Sequence, residues 1–222
     1  MNTEVLPDAE AASRRGAELI VAAAREAVAA RGVFSLALSG GKTPWRMVAQ
    51  LAEMADMPWE ETQIFQVDER VAPPGSDERN LTHLVRMLSP SQQSTVRPMP
   101  VTSTDLETAA RSYESGLPER FDLVHLGIGP DGHTASLVPD DPVLDVSGHR
   151  VALTAGEYEG RRRMTITFPE LAAARQILWL VIGEEAREPL ARLLAGDRSI
   201  PAGRVENDEM TVVADEAAAG RS

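Results

Sequence analysis

The sequence predicts an α/β fold: a single domain over residues 1–222, built on a mostly parallel sheet with helices on both faces. Three observations predict it. Short apolar runs alternate with helical stretches along nearly the whole chain. Runs such as Val124–Ile128 and Ile177–Ile182 are apolar or nearly so at every position, as strands covered on both faces are. A chain of 222 residues is long enough for one α/β domain with a substantial core and short for two.

The elements follow in order. From about Asp8 to Ala30, Ala12, Leu19, Ile20, Ala23 and Ala27 share one helical side, and Gly32 closes the helix. Phe34–Leu38 reads as a strand, Ser39–Pro44 as a turn, and Pro44 suits the first turn of a helix running to about Ala55. Thr62–Val67 reads as a strand that ends in the charged loop Asp68-Glu-Arg70, with a helix from about Asn80 to Leu88 beyond it. A strand interrupted by prolines is expected at Val96–Val101, then a helix over Thr104–Ser115. After the strand preceding Gly127, Arg150–Leu153, Met164–Phe168, Ile177–Ile182 and Met210–Ala214 read as strands. Glu184–Ala195 reads as a helix, and Asp215 as the start of a short terminal one.

Composition excludes several classes of function. There is no cysteine, which removes thiol catalysis, disulfides and cysteine metal sites. The formal charge of -12 argues against nucleic-acid or anionic-membrane partners. An anionic substrate would need positive charge gathered locally, and Lys42 is the only lysine. The N-terminus lacks a basic stretch followed by an apolar one, and no apolar run is long enough to span a bilayer. A soluble, cytoplasmic protein is expected, a monomer or small homo-oligomer, with no cofactor.

Chemistry concentrates in the segments after three strands. Parallel strands bring their carboxyl ends to one rim, where ligands of open α/β sheets bind. Ser39-Gly40-Gly41-Lys42-Thr43 has the make-up of an anion cradle, with backbone N–H groups and a helix N-terminus aimed at a phosphate. It lacks the spacing of a P-loop, and no GxSxG elbow occurs. In the second segment Asp68 falls at the rim, and Arg70 offers a bidentate fork to phosphate. In the third, Gly127-Ile-Gly-Pro-Asp-Gly-His133, glycines let the chain turn and place Asp131 and His133 two residues apart. Of the four histidines, His83 reads as a surface residue and His125 as a core one. His133 alone joins a glycine loop to a nearby carboxylate, and imidazole accepts protons near neutral pH. No metal-ligand spacing is present.

Together, Ser39-Gly-Gly-Lys-Thr-Pro44, Asp68-Glu-Arg70 and Gly127-Ile-Gly-Pro-Asp-Gly-His-Thr-Ala-Ser-Leu137 closely resemble the 6-phosphogluconolactonases. Arg163-Met-Thr-Ile-Thr167, Pro201-Ala202 and Asp215-Glu-Ala-Ala-Ala219 are similar to later motifs of that family, so the resemblance covers nearly the whole chain. The glucosamine-6-phosphate deaminases share the fold, but resemble this chain less: they have Tyr after Asp-Glu and a different glycine loop. Lys42 and Arg79 depart from the family pattern, and a tryptophan usual before the last Asp is replaced within Met210–Ala214.

The resemblance implies a modified Rossmann-like fold of the deaminase/isomerase type. It also implies hydrolysis of 6-phospho-D-glucono-1,5-lactone to 6-phosphogluconate, the second step of the oxidative pentose phosphate pathway. The substrate is then a small sugar-phosphate lactone, and the enzyme a carboxylic ester hydrolase. His133 would be the base for water, with either Asp131 or Asp68 orienting it. Gly40, Gly41, Lys42, Thr43, Arg70 and Arg163 would grip the phosphate. The alternative is a deaminase-like sugar-phosphate isomerase using Asp68 as base.

Overall fold

The computed structural model describes residues 1–221; the side chain of Lys42 lies outside the described part. Seven parallel strands form the main sheet, in the order β1 (Asn2–Leu6), β10 (Met210–Asp215), β9 (Ile177–Val181), β6 (Leu123–Leu126), β2 (Phe34–Leu38), β3 (Thr62–Gln66) and β5 (Val96–Arg97). Every residue of β2, β6 and β9 is buried, as their apolar composition requires.

Alternation along the strands divides the core in two. Leu36, Leu38, Ile64, Leu123 and Leu178 join one apolar cluster with helices α1 (Ala9–Arg31), α2 (Lys42–Ala52) and α3 (Asn80–Met87). Ala37, Phe65, Val124 and Trp179 face the other way. That second cluster takes in α5 (Leu106–Ser115), α6 (Phe168–Ala173) and α7 (Arg187–Leu194). A one-turn helix, α4 (Pro90–Gln93), precedes β5. Helices on both faces of a parallel sheet are the predicted architecture.

Local signals explain the best-read elements. Asp8 caps α1 by accepting from the Ala11 N–H at 2.8 Å, and Gly32 closes it at φ 75° with its N–H on the Val28 carbonyl. Asp105 caps α5 in the same way.

Several expectations are corrected. Asp68–Arg70 is not a loop but a strand, β4, and it pairs antiparallel with β8 (Arg163–Ile166). With β7 (Val151–Leu153), these form a separate three-stranded sheet outside the parallel one. No helix separates β7 from β8, so the chain can only return antiparallel. Phe168 begins α6 rather than ending a strand, because Pro169 suits a helix's first turn and cannot donate to a ladder. Asp215 ends β10 instead of starting a helix: its carboxylate accepts from the N–H groups of Gly183 and Ala218, and only a turn follows. Residues 2–6, to which the sequence reading assigned no element, pair along β10.

Strand order places the site. From β2 the chain moves outward through β3 and β5, then returns to the other side of β2 as β6. The direction of winding therefore reverses between β2 and β6. At such a switch point the loops after neighbouring strands part and leave a crevice. Among the described residues, no helix is long and apolar enough to cross a membrane.

Candidate active site

The crevice is a cleft of about 180 Å³. Ser39–Gly41 and Thr43 after β2, Asp68 and Arg70 on β4, Gly127–Gly129 and His133 after β6, and Arg163 on β8 all border it. All three sequence segments thus converge. Lys42 starts α2 at the same place, but its side chain lies outside the described part.

The first segment presents an open helix end. Gly41 is the N-cap of α2, and no side chain caps it. The leading N–H groups of an 11-residue helix are therefore left for a ligand. A Cβ on Gly40 would collide with the side-chain amide of Asn80, so only glycine lets the segment after β2 run this close to α3.

The second segment works as a strand. Side chains two apart share a face, so Asp68 and Arg70 both reach the cleft while Glu69 points away from it. Asp68 is almost fully buried; its Oδ2 accepts from Ser136 Oγ at 2.6 Å and its Oδ1 from Asn80 Nδ2 at 3.2 Å. Arg70 donates through Nη1 to Asn80 Oδ1. Directly across the antiparallel ladder from Arg70 stands Arg163, buried and on the same cleft. Like charges in this cross-strand position repel. Glu159 balances one of them, through a 2.8 Å bond from Arg163 Nη2. An anion between the guanidinium groups would stabilise the pair. Arg163 Nε is buried with no hydrogen-bond partner among the described residues, leaving a donor for such a ligand.

The third segment is a tight loop. The Gly132 N–H reaches the Gly129 carbonyl at 2.9 Å across Pro130-Asp131, and the Gly129 N–H reaches the His133 carbonyl at 2.9 Å. A Cβ on Gly129 would occupy the His133 ring, so this glycine makes room for the imidazole. His133 Nδ1 lies 2.6 Å from Asp131 Oδ1, and the backbone N–H of His133 donates to the same oxygen at 3.1 Å. Burial opposes charge on the Asp131 carboxyl, but the His133 and Tyr158 hydrogen bonds outweigh it and hold the group well below the usual carboxylate range. Asp131 is thus the carboxylate bonded to His133, while the hydrogen bonds of Asp68 run to Ser136 and Asn80. That contact separates two residues that the sequence left unranked.

His125 is fully buried on the α1–α2 face of β6, and burial pushes it down to about 3, so it is uncharged at neutral pH. His83 is half-buried and stacks on Trp45 with ring centroids 5.8 Å apart, less exposed than expected. Sequence reasoning missed Asn80, which links Asp68 to Arg70, and Tyr158, which touches Asp131 and His133. Asn80 had a signal, as the first residue of a helix beside the charged segment. Tyr158 had none, because its place depends on the hairpin that carries it.

The glucosamine-6-phosphate isomerase/6-phosphogluconolactonase family model matches residues 7–214. A 6-phosphogluconolactonase of Synechocystis sp. is 38% identical over 185 residues, which cover 77% of this chain and 75% of that protein. The crystal structure of a 6-phosphogluconolactonase from Thermotoga maritima superposes with a TM-score of 0.85 at 28% identity, covering 96% of this chain and 98% of that one. A monomeric glucosamine-6-phosphate deaminase superposes with a TM-score of 0.87 over 100% of both chains. At 19% identity it speaks to the fold alone. By sequence and by architecture, this chain belongs to the glucosamine-6-phosphate isomerase/6-phosphogluconolactonase family.

Proposed function

We propose that this chain hydrolyses 6-phospho-D-glucono-1,5-lactone to 6-phospho-D-gluconate, the lactonase step of the oxidative pentose phosphate pathway. The observation that carries the reading is one cleft bordered by His133, which is paired with Asp131, and by two cross-strand arginines. The similarity to a 6-phosphogluconolactonase at 38% identity supports it. We infer that residues 1–222 act as one domain, as a monomer or small homo-oligomer in the cytoplasm.

His133 donates its Nδ1 proton to Asp131 and keeps a lone pair on Nε2. Nε2 takes a proton from water as the water oxygen bonds to the lactone carbonyl carbon. When the tetrahedral intermediate collapses, the bond from that carbon to the ring oxygen breaks. The imidazolium returns its proton to the departing oxygen. Asp131 stabilises the transient positive charge on the ring. Gly40, Gly41, Lys42 and Thr43 hold the phosphate at the α2 N-terminus, and Arg70 and Arg163 supply the paired positive charge. Asp68, fixed by Ser136 and Asn80, faces the sugar. A lactone is an activated ester, so a base and a positioned phosphate suffice without a covalent nucleophile.

The deciding assay follows freshly generated lactone against its spontaneous opening. No acceleration by the folded protein would reject the lactonase reading. Ammonia release from glucosamine-6-phosphate would favour the deaminase instead.

Two further results are expected. Arg70→Ala removes a guanidinium from the cleft, and a charge-assisted bond of this kind is worth roughly 1.5–3 kcal/mol, or about 10–150-fold in kcat/KM. An unchanged KM and kcat/KM in the folded variant would remove Arg70 from the site. Among the described residues, no group of three or more His, Asp or Glu side chains is placed to hold a metal ion. Activity should therefore survive exhaustive chelation; loss that a divalent ion restores would overturn the metal-free route.

A further inference from the structure

Tyr158 belongs to none of the sequence motifs, yet its hydroxyl completes the hydrogen-bond set around the imidazole. Its Oη donates to Asp131 Oδ2 at 3.0 Å and lies 3.2 Å from His133 Nδ1. The other carboxylate oxygen, Oδ1, already accepts from the His133 backbone and ring. We propose that Tyr158 is a positioning residue for His133: by holding Asp131, it keeps the ring proton on Nδ1 and the Nε2 lone pair free for the cleft. The proposal rests on the reading of His133 as the base.

Proton accounting allows one consistent arrangement. Asp131 is ionised and can only accept. Both Tyr158 Oη and His133 Nδ1 must then donate to it. With the tyrosine proton committed to Oδ2, its oxygen is left to accept a share of the Nδ1–H. If the proton sat on Nε2, the Nδ1 lone pair would face a carboxylate oxygen at 2.6 Å, which is repulsive. Burial, then the bond to Asp131, pushes the Tyr158 hydroxyl up to about 12, so it stays a donor at any physiological pH.

The tyrosine is itself held in place. Tyr158 and Arg161 exchange two backbone hydrogen bonds across Glu159-Gly160, whose φ values of 52° and 76° are those of a tight two-residue hairpin turn. The turn projects the ring from the β7–β8 connection onto the glycine loop. There it meets the imidazole edge-to-face, with centroids 5.1 Å apart. The Arg163 guanidinium lies 5.1 Å from the ring centroid and donates to the Tyr158 carbonyl at 3.1 Å. One side chain therefore packs against both the base and a cation of the phosphate grip.

Tyr158→Phe keeps the ring and both ring contacts and deletes only the hydroxyl. The expected result is a loss of about 10-fold in kcat, the scale for losing a partner that orients an imidazole, with KM unchanged within about twofold. In an Asp131→Ala background the same substitution should change nothing further, because its route of action is already gone. Nitrogen-15 spectra of histidine-labelled protein should show the Nδ1-protonated form of His133 in the wild type and a tautomer mixture in Tyr158→Phe. An unchanged kcat, a rise in KM alone, additivity with Asp131→Ala or an unaltered tautomer would each overturn the proposal. Wild-type protein inactive on the lactone would sink the lactonase reading instead, and the tautomer measurement would still judge Tyr158.

Discussion

His133→Asn is expected to lower kcat by roughly 10²–10⁴-fold, the contribution of general-base catalysis. Asparagine keeps the size and polarity of the loop residue, and its amide can still donate to Asp131. The fold and the phosphate grip should therefore survive, because the grip is built on α2, β4 and β8 rather than on the glycine loop. Binding of 6-phosphogluconate, measured by calorimetry, should change by no more than a few-fold. Near wild-type turnover by folded His133→Asn would assign the histidine to structure and return the search for a base to Asp68.

Glu69→Ala is expected to be the most destabilising single change near the site. Glu69 is fully buried and accepts from Gln66 Nε2 at 2.9 Å and from the backbone N–H groups of Arg70, Asn80 and Leu81 at 2.9, 2.7 and 2.9 Å. Two of those donors belong to the first turn of α3, which has no cap from its own N-cap residue, Arg79. Arg79 is itself buried, with its Nε 3.5 Å from the Glu69 carboxylate. Removing the carboxylate strands that charge and opens the helix end. Breaking a buried pair in this way costs about 3–5 kcal/mol. For a chain of this length the midpoint of thermal unfolding should fall by roughly 6–20 °C. A fall of under about 3 °C would show that α3 and Arg79 find other partners easily.

The sequence carried the fold well wherever one strong local signal governs an element. Asp8 and Gly32 bound α1 because a cap and a left-handed glycine are local choices. The buried strands of the parallel sheet announce themselves by continuous apolar runs. In the small sheet β7 and β8 were legible as strands, but β4 was hidden, because Asp68-Glu-Arg70 has the composition of a loop and becomes a strand only by pairing with β8. At the site, the glycine loop and Asp131–His133 were legible because two residues of spacing nearly fix their contact. Tyr158 meets His133 and Asn80 meets Asp68 from remote segments, 25 and 12 residues away. Such meetings are set by tertiary packing, and no short-range pattern encodes them.

The alternation of β4 has an evolutionary consequence. Within three consecutive residues, the middle one anchors the scaffold and the outer two face the cleft. Position 70 can therefore drift, changing which molecule is welcomed, while position 69 goes on securing α3 untouched. A gene copy altered only there would inherit an intact architecture and a new preference. Insertion of one residue would do the opposite: it would turn the anchoring carboxylate into the cleft and take it away from α3. Innovation at this tripeptide is thus open to substitution and closed to changes of length.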